Sequence, residues 1–133
     1  MNLESIRSAI MATLSSNWGI TTAIDYPNQQ FFAPSNAAWI RPTIKFGDSF
    51  VGELGNDGVG LRTGILMISI FVPAGSGTKT ANGYSNTLET IFRRADINGV
   101  IFDEPSTDYL GIDDGNGFYH IMTSCPFWTW VGE

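Results

Sequence analysis

LRTGILMISIFVPAGSGTKTANGYSNTLETIFRRA, residues Leu61 to Ala95, joins an apolar run to an amphipathic one, and the architecture hangs on which element each forms. Its apolar run from Ile65 to Val72 is rich in β-branched residues and bounded by Gly64 and Pro73. About eight residues is short for a helix and ordinary for a strand, and proline, which has no N–H to give a ladder, closes it. On a strand, Leu66, Ile68, Ile70 and Val72 share one face while Ile65, Met67, Ser69 and Phe71 share the other. Both faces are largely apolar, so each needs a cover. Residues 74–83 form a polar, glycine-rich linker, after which Tyr84, Leu88, Ile91, Phe92 and Ala95 recur at helical spacing and predict a helix over one face. The second face is left for another part of this chain or for another copy of it.

Working outward toward the N-terminus, Asn2 caps an expected helix from Leu3 to Ser15 whose buried stripe is Leu3, Ile6, Ile10 and Leu14, widened by Met11. Ser15-Ser16-Asn17 reads as its stop, and Ala23 to Tyr26, before Pro27, as a short strand. Residues 28–36 read as a loop carrying Phe31 and Phe32 as exposed or docking aromatics. Trp39, Arg41, Thr43 and Lys45 then alternate with Ile40, Pro42, Ile44 and Phe46, the period of a strand with one buried face; Pro42 makes it an edge strand or marks a bulge. Residues 48–60, with four glycines, are expected to be a loop or hairpin tip.

Toward the C-terminus, Asn98-Gly99 is a turn, Val100 to Phe102 a short strand and Pro105 to Thr107 a break. Tyr109 to Ile112 and Phe118 to Cys125 flank the long turn Asp113-Asp114-Gly115-Asn116-Gly117 as a hairpin. The order helix, strands, helix, strands gives an α+β fold, a mainly antiparallel sheet packed against two helices in a single domain spanning residues 1–133.

Composition narrows the function. With 133 residues, 43% of them hydrophobic, the chain has the size and content of one folded domain. No apolar run approaches the roughly 20 residues that cross a bilayer, and no signal-peptide pattern opens the chain, so neither a membrane nor the secretory route is expected. Cys125 is the single cysteine, which excludes an internal disulfide. A net charge of −6 with only seven Lys and Arg argues against sequence-specific nucleic-acid binding.

Candidate chemistry fares poorly. The glycines between Gly52 and Gly60 lack the Lys-Ser or Lys-Thr of a phosphate loop, and Ser76 lacks the strand-to-helix elbow and a base. Asp108, Asp113, Asp114 and Asn116 depart from calcium-loop spacing and read as a solvated hairpin turn. His120 and Cys125, five apart on one strand, point to opposite faces and cannot form a nucleophile pair; adjacent Asp103 and Glu104 diverge likewise. Arg93 and Arg94 at the expected helix end suit the helix dipole, with pairing to a second subunit as the functional alternative. Phe127, Trp128 and Trp130 either close the core or dock onto a neighbour. The expectation is a protein with no catalytic residues, cofactor or metal.

The sequence of features resembles a known family. An N-terminal helix, an aromatic loop, Trp39-Ile40-Arg41 on a strand, Arg62-Thr63-Gly64 leading into a strand that ends Phe71-Val72-Pro73-Ala74-Gly75, a helix with Ile91-Phe92 and a strand running into Cys125-Pro126-Phe127 resemble the tail terminator, or tail-completion, proteins of long-tailed bacteriophages and prophages. The resemblance implies a structural virion protein that forms a six-membered ring with copies of itself, caps the tail tube at its head-proximal end, ends tube polymerisation and offers a surface to the head–tail connector protein. Its implied partners are therefore itself, the major tail-tube protein and the connector, in the host cytoplasm during assembly and in the virion tail afterwards. A neck component of similar fold is the alternative, and a small-ligand-binding domain a more distant one. In a ring, Trp39, Arg41, Phe71, Arg93, Arg94, Trp128 and Trp130 are the expected subunit interface. Gly52, Glu53, Gly55, Asp57 and Gly58 would then face the lumen or the tube.

Overall fold

Asn2 starts the first helix as its sequence requires: the side-chain oxygen accepts the Ser5 N–H at 2.8 Å, satisfying one of the donors a helix start leaves orphaned. The computed structural model describes residues 2–19, 21–34, 36–51, 60–75, 77–113 and 117–131. Within them the order is α1 (Leu3–Trp18), β1 (Ala23–Ile24), β2 (Trp39–Val51), β3 (Gly60–Pro73), α2 (Lys79–Phe92), β4 (Asp96–Ile97), β5 (Val100–Phe102), β6 (Ser106–Asp113) and β7 (Phe118–Val131). The expected α+β architecture is present.

The strands make one sheet in the order β1-β2-β3-β7-β5-β4, with β6 also paired to β7. Every pairing is antiparallel except β1 with β2, which is parallel over two residues. The middle strand is β3, paired along its whole length with β7 from Gly60↔Val131 to Pro73↔Phe118.

Both helices lie on one face of this sheet. Leu66, Ile68, Ile70 and Val72 of β3 are buried in a single cluster with Ile6, Ile10, Leu14 and Trp18 of α1 and Ala81, Leu88 and Phe92 of α2. A chain of rings closes its lower end: Phe92 to Phe102 at 5.1 Å, Phe102 to Phe127 at 5.5 Å, Phe127 to Phe46 at 6.1 Å between centroids. Gly64 sits under the last pair because a Cβ there would come within 2.5 Å of the Phe127 ring. Ser85 of α2 hydrogen-bonds Thr107 of β6 at 2.6 Å and Thr123 of β7 at 2.9 Å, so the polar groups buried under α2 satisfy one another.

Several boundaries differ from the sequence expectation, each for a physical reason. Helix α1 does not stop at Ser15; it runs on until Trp18 is buried edge-on against Tyr84, with its indole N–H on the Thr22 hydroxyl, and Gly19 then turns the chain at a φ of 61°. Leu3, expected in the buried stripe, is exposed. Helix α2 begins at Lys79, so residues 79–83 of the expected linker are helical. It ends at Phe92, which leaves Arg93 and Arg94 beyond the last turn; both guanidiniums pair with Glu104, and Arg93 also with Glu89.

Strands β2 and β3 are longer than the apolar runs that announced them and take in both ends of the expected loop at 48–60. Its middle, residues 52–59, lies outside the described residues. The irregularity in β2 falls between Phe46 and Ser49, not at Pro42. Ile40 gives its C=O to Asp25 on the β1 side, so by alternation Pro42 also directs its backbone away from β3, where its missing N–H breaks no ladder bond. Strand β6 starts at Ser106 inside the expected break. Strand β7 does not end at Cys125 but continues through Pro126. Pro126 sits where pairing passes from β6 to β5, and its C=O still accepts the Asp103 N–H at 2.9 Å.

Candidate functional site

The face of the sheet turned away from the helices carries the second set of β3 residues, and register decides what surrounds each. Trp39, Phe71 and His120 are cross-strand neighbours and stack in a row: 4.2 Å between Trp39 and Phe71, 4.4 Å between Phe71 and His120. Phe118 meets this row edge-on, and Phe31 of the aromatic loop lies on Trp39 at 5.2 Å. Arg41, held by Asp25 at 2.8 Å, lays its guanidinium over Trp39 and Phe71, at 5.0 and 5.4 Å from the two centroids. Trp39 and Phe71 are consequently buried within their own chain, whereas Phe32, next to Phe31, is exposed.

At the other end of the same face the cover stops. Ile65 is 38% exposed and Trp130 49% exposed. Trp130 lies opposite Leu61, Trp128 opposite Thr63, and the two indoles meet edge to face at 5.9 Å. Lys45, Ile65, Pro126 and Trp128 line a shallow hollow of about 410 Å³ between this patch and β2. The patch stands where β2, β3 and β7 run out toward residues 52–59.

Of the residues singled out from sequence, the structure therefore joins Trp39, Arg41 and Phe71 in one intrachain stack. It joins Trp128 and Trp130 in a separate, partly exposed patch, and places Arg93 and Arg94 together against Glu104 on the helix side. Gly52, Glu53, Gly55, Asp57 and Gly58 lie outside the described residues, as do Ser76, Asp114 and Asn116. The hairpin strand expected at Tyr109 to Ile112 is present as β6, paired antiparallel to β7; what sequence reasoning missed is that its Tyr109, Leu110 and Ile112 are all exposed. The signal was three large apolar residues within four positions of a short strand that nothing in the sequence offered to cover.

Among the described residues, the reactive pairs weighed from the sequence are not brought together. His120 stacks in the outer row while Cys125 is buried among the core residues under the helices, on opposite faces of β7. Burial pushes the Cys125 thiol up to about 12, with the Glu89 carboxylate adding to the effect, so it stays a protonated packing group at ordinary pH. Glu104 pairs with the two arginines, whereas Asp103 bonds Pro126 through its backbone N–H and not its carboxylate. No cluster of three metal-ligating side chains occurs among the described residues, and no helix there is long and apolar enough to cross a membrane. Half-exposed tryptophans beside an apolar hollow suit protein docking, in which a few large aromatics carry most of the binding energy.

The family model described as "Phage tail terminator protein" matches residues 5–118. Among solved structures 17 chains match. One of them superposes with a TM-score of 0.70 at 16% sequence identity, covering 100% of this chain and 98% of the other, a likeness of fold. No curated protein matches the chain.

Proposed function

We propose a tube-capping role from one premise: the chain belongs to the phage tail terminator family. Membership makes it a component of the virion tail and a structural protein. The finer reading is a ring of identical subunits, six by the resemblance in sequence, seated on the head-proximal end of the tail tube after assembly in the host cytoplasm. There it ends polymerisation and presents a surface to the head–tail connector.

The observation that carries this reading is the uncovered end of the outer sheet face. Ile65 and Trp130 stay exposed although Phe31, Phe71 and Phe118 cover the opposite end of the same face. A subunit of a closed ring needs patches that meet different patches on the next copy. Trp128 and Trp130 form one such patch, and burying each large side chain is worth about 1.5 to 3 kcal/mol. Arg93 and Arg94 reinforce the contact from the helix side. The connection around Gly52, Glu53, Gly55, Asp57 and Gly58 faces the lumen or the tube.

Reconstitution tests the role. Purified protein added to polymerising tube subunits is expected to shorten the tubes in proportion to its concentration and to be visible at one end only. Tubes of unchanged length, with the protein unbound or scattered along their sides, would contradict it.

A further inference from the structure

Among the described residues the sheet is open beside β2 and beside β6, and these two edges are complementary. On one side β1 covers β2 only at Trp39 and Ile40, so the outward backbone groups of Ile44 and Phe46 have no partner strand among the described residues. Beside this open stretch runs a groove of about 380 Å³ between α1 and β2, floored by Ile44 and Phe46 and walled by Leu3, Met11 and Pro27. On the opposite side β6 pairs with β7 alone among the described strands, and its exposed large hydrophobic residues are Tyr109, Leu110 and Ile112.

Three features match the two edges. Chain direction alternates across β2, β3, β7 and β6, so a second copy in the same orientation presents its β6 antiparallel to β2. Tyr109 and Ile112 are in register with Ile121 and Tyr119, on the helix side of the sheet, and Ile44 is in register with Leu66 on that same side. Continuing the sheet from β2 into a neighbour's β6 therefore carries apolar side chains into the groove. On the other face, Lys45 of β2 and Asp108 of β6 are both exposed and have no ion-pair partner among the described residues, and the same continuation brings them to one face.

We propose that β6 of one copy adds to the free edge of β2 in the next, with Tyr109 and Ile112 in the α1–β2 groove and Asp108 facing Lys45. The proposal rests on the ring reading and says which segments meet. Because donor and acceptor lie at opposite edges of the subunit, the contact is heterologous and repeats from copy to copy. Pro42 keeps the added ladder short, since its position offers an acceptor but no donor.

Single-cysteine variants test it, since Cys125 is buried and protonated. Leu3→Cys and Ile112→Cys both alter exposed positions. Mixed under conditions where the protein self-associates, alone or on purified tubes, and treated with a short bismaleimide, the two are expected to give a crosslinked dimer that neither gives alone. Lys45→Glu and Asp108→Lys should each weaken association by roughly fivefold, and the double exchange should restore it. Rings that form without the mixed crosslink, or a crosslink in Leu3→Cys alone, overturn the edge assignment and leave the ring intact. Absence of self-association both in solution and at tube ends overturns the two together.

Discussion

Replacing Phe102 by alanine is expected to lower unfolding free energy by about 3 to 5 kcal/mol, a large share of the 5 to 15 kcal/mol typical of a domain. Phe102 is 1% exposed and stands between Phe92 of α2 and Phe127 of β7. Its ring bridges the helix layer and the sheet. Removing it opens a cavity under Phe127, whose own position depends on Gly64 having no side chain. The cavity cannot collapse, because Phe127 is held by pairing to β3 and to β5 on either side. A denaturant melt should show the midpoint falling with little change in slope. A loss below about 1 kcal/mol would mean that these rings do not form the closing layer of the core.

Trp130→Glu is expected to do the reverse, sparing the fold and abolishing assembly. Trp130 is 49% exposed and its described ring contact is with Trp128, so an isolated subunit loses little when the indole goes. In an interface the same side chain has the character of a hot spot, whose loss costs 2 kcal/mol or more, and a carboxylate placed there adds the penalty of burying a charge. Association should weaken by about thirtyfold or more while the melting temperature stays nearly constant. Sedimentation of the variant and length measurement of tubes grown with it read the two effects separately. Normal assembly would remove the Trp128–Trp130 patch from the interface.

How much of this was legible in the sequence follows from which forces act locally. The alternation in β3 and the 3.6-residue stripe in α2 are written by burial on the helix side, and there Leu66, Ile68, Ile70, Val72, Leu88 and Phe92 were readable directly. Boundaries set by contacts between distant segments were not. Trp18 extends α1 because Tyr84, far along the chain, packs on it. The strand expected to end at Cys125 continues through Pro126 because two different strands share that edge of β7. Arg93 and Arg94 suggest a helix end, but Glu104 decides their positions.

The outer face divides for the same reason. Its composition announced a surface needing cover, but only the register of Trp39, Phe71 and His120 shows that the chain covers one end itself and leaves Ile65 and Trp130 open. Of the two edges, that of β2 was announced by Pro42, which offers no ladder donor; that of β6 was not, because whether a strand is outermost is a property of sheet order and not of its own residues.

A protein proposed to end the growth of a tail tube must set tail length. That role is tested most directly by measuring tail lengths, by electron microscopy, in particles assembled without the protein and in the same particles supplied with it again. Tubes of irregular, excessive length without attached heads are expected in its absence, and a return to one uniform length when it is restored. Tails of normal length carrying heads in its absence would contradict it.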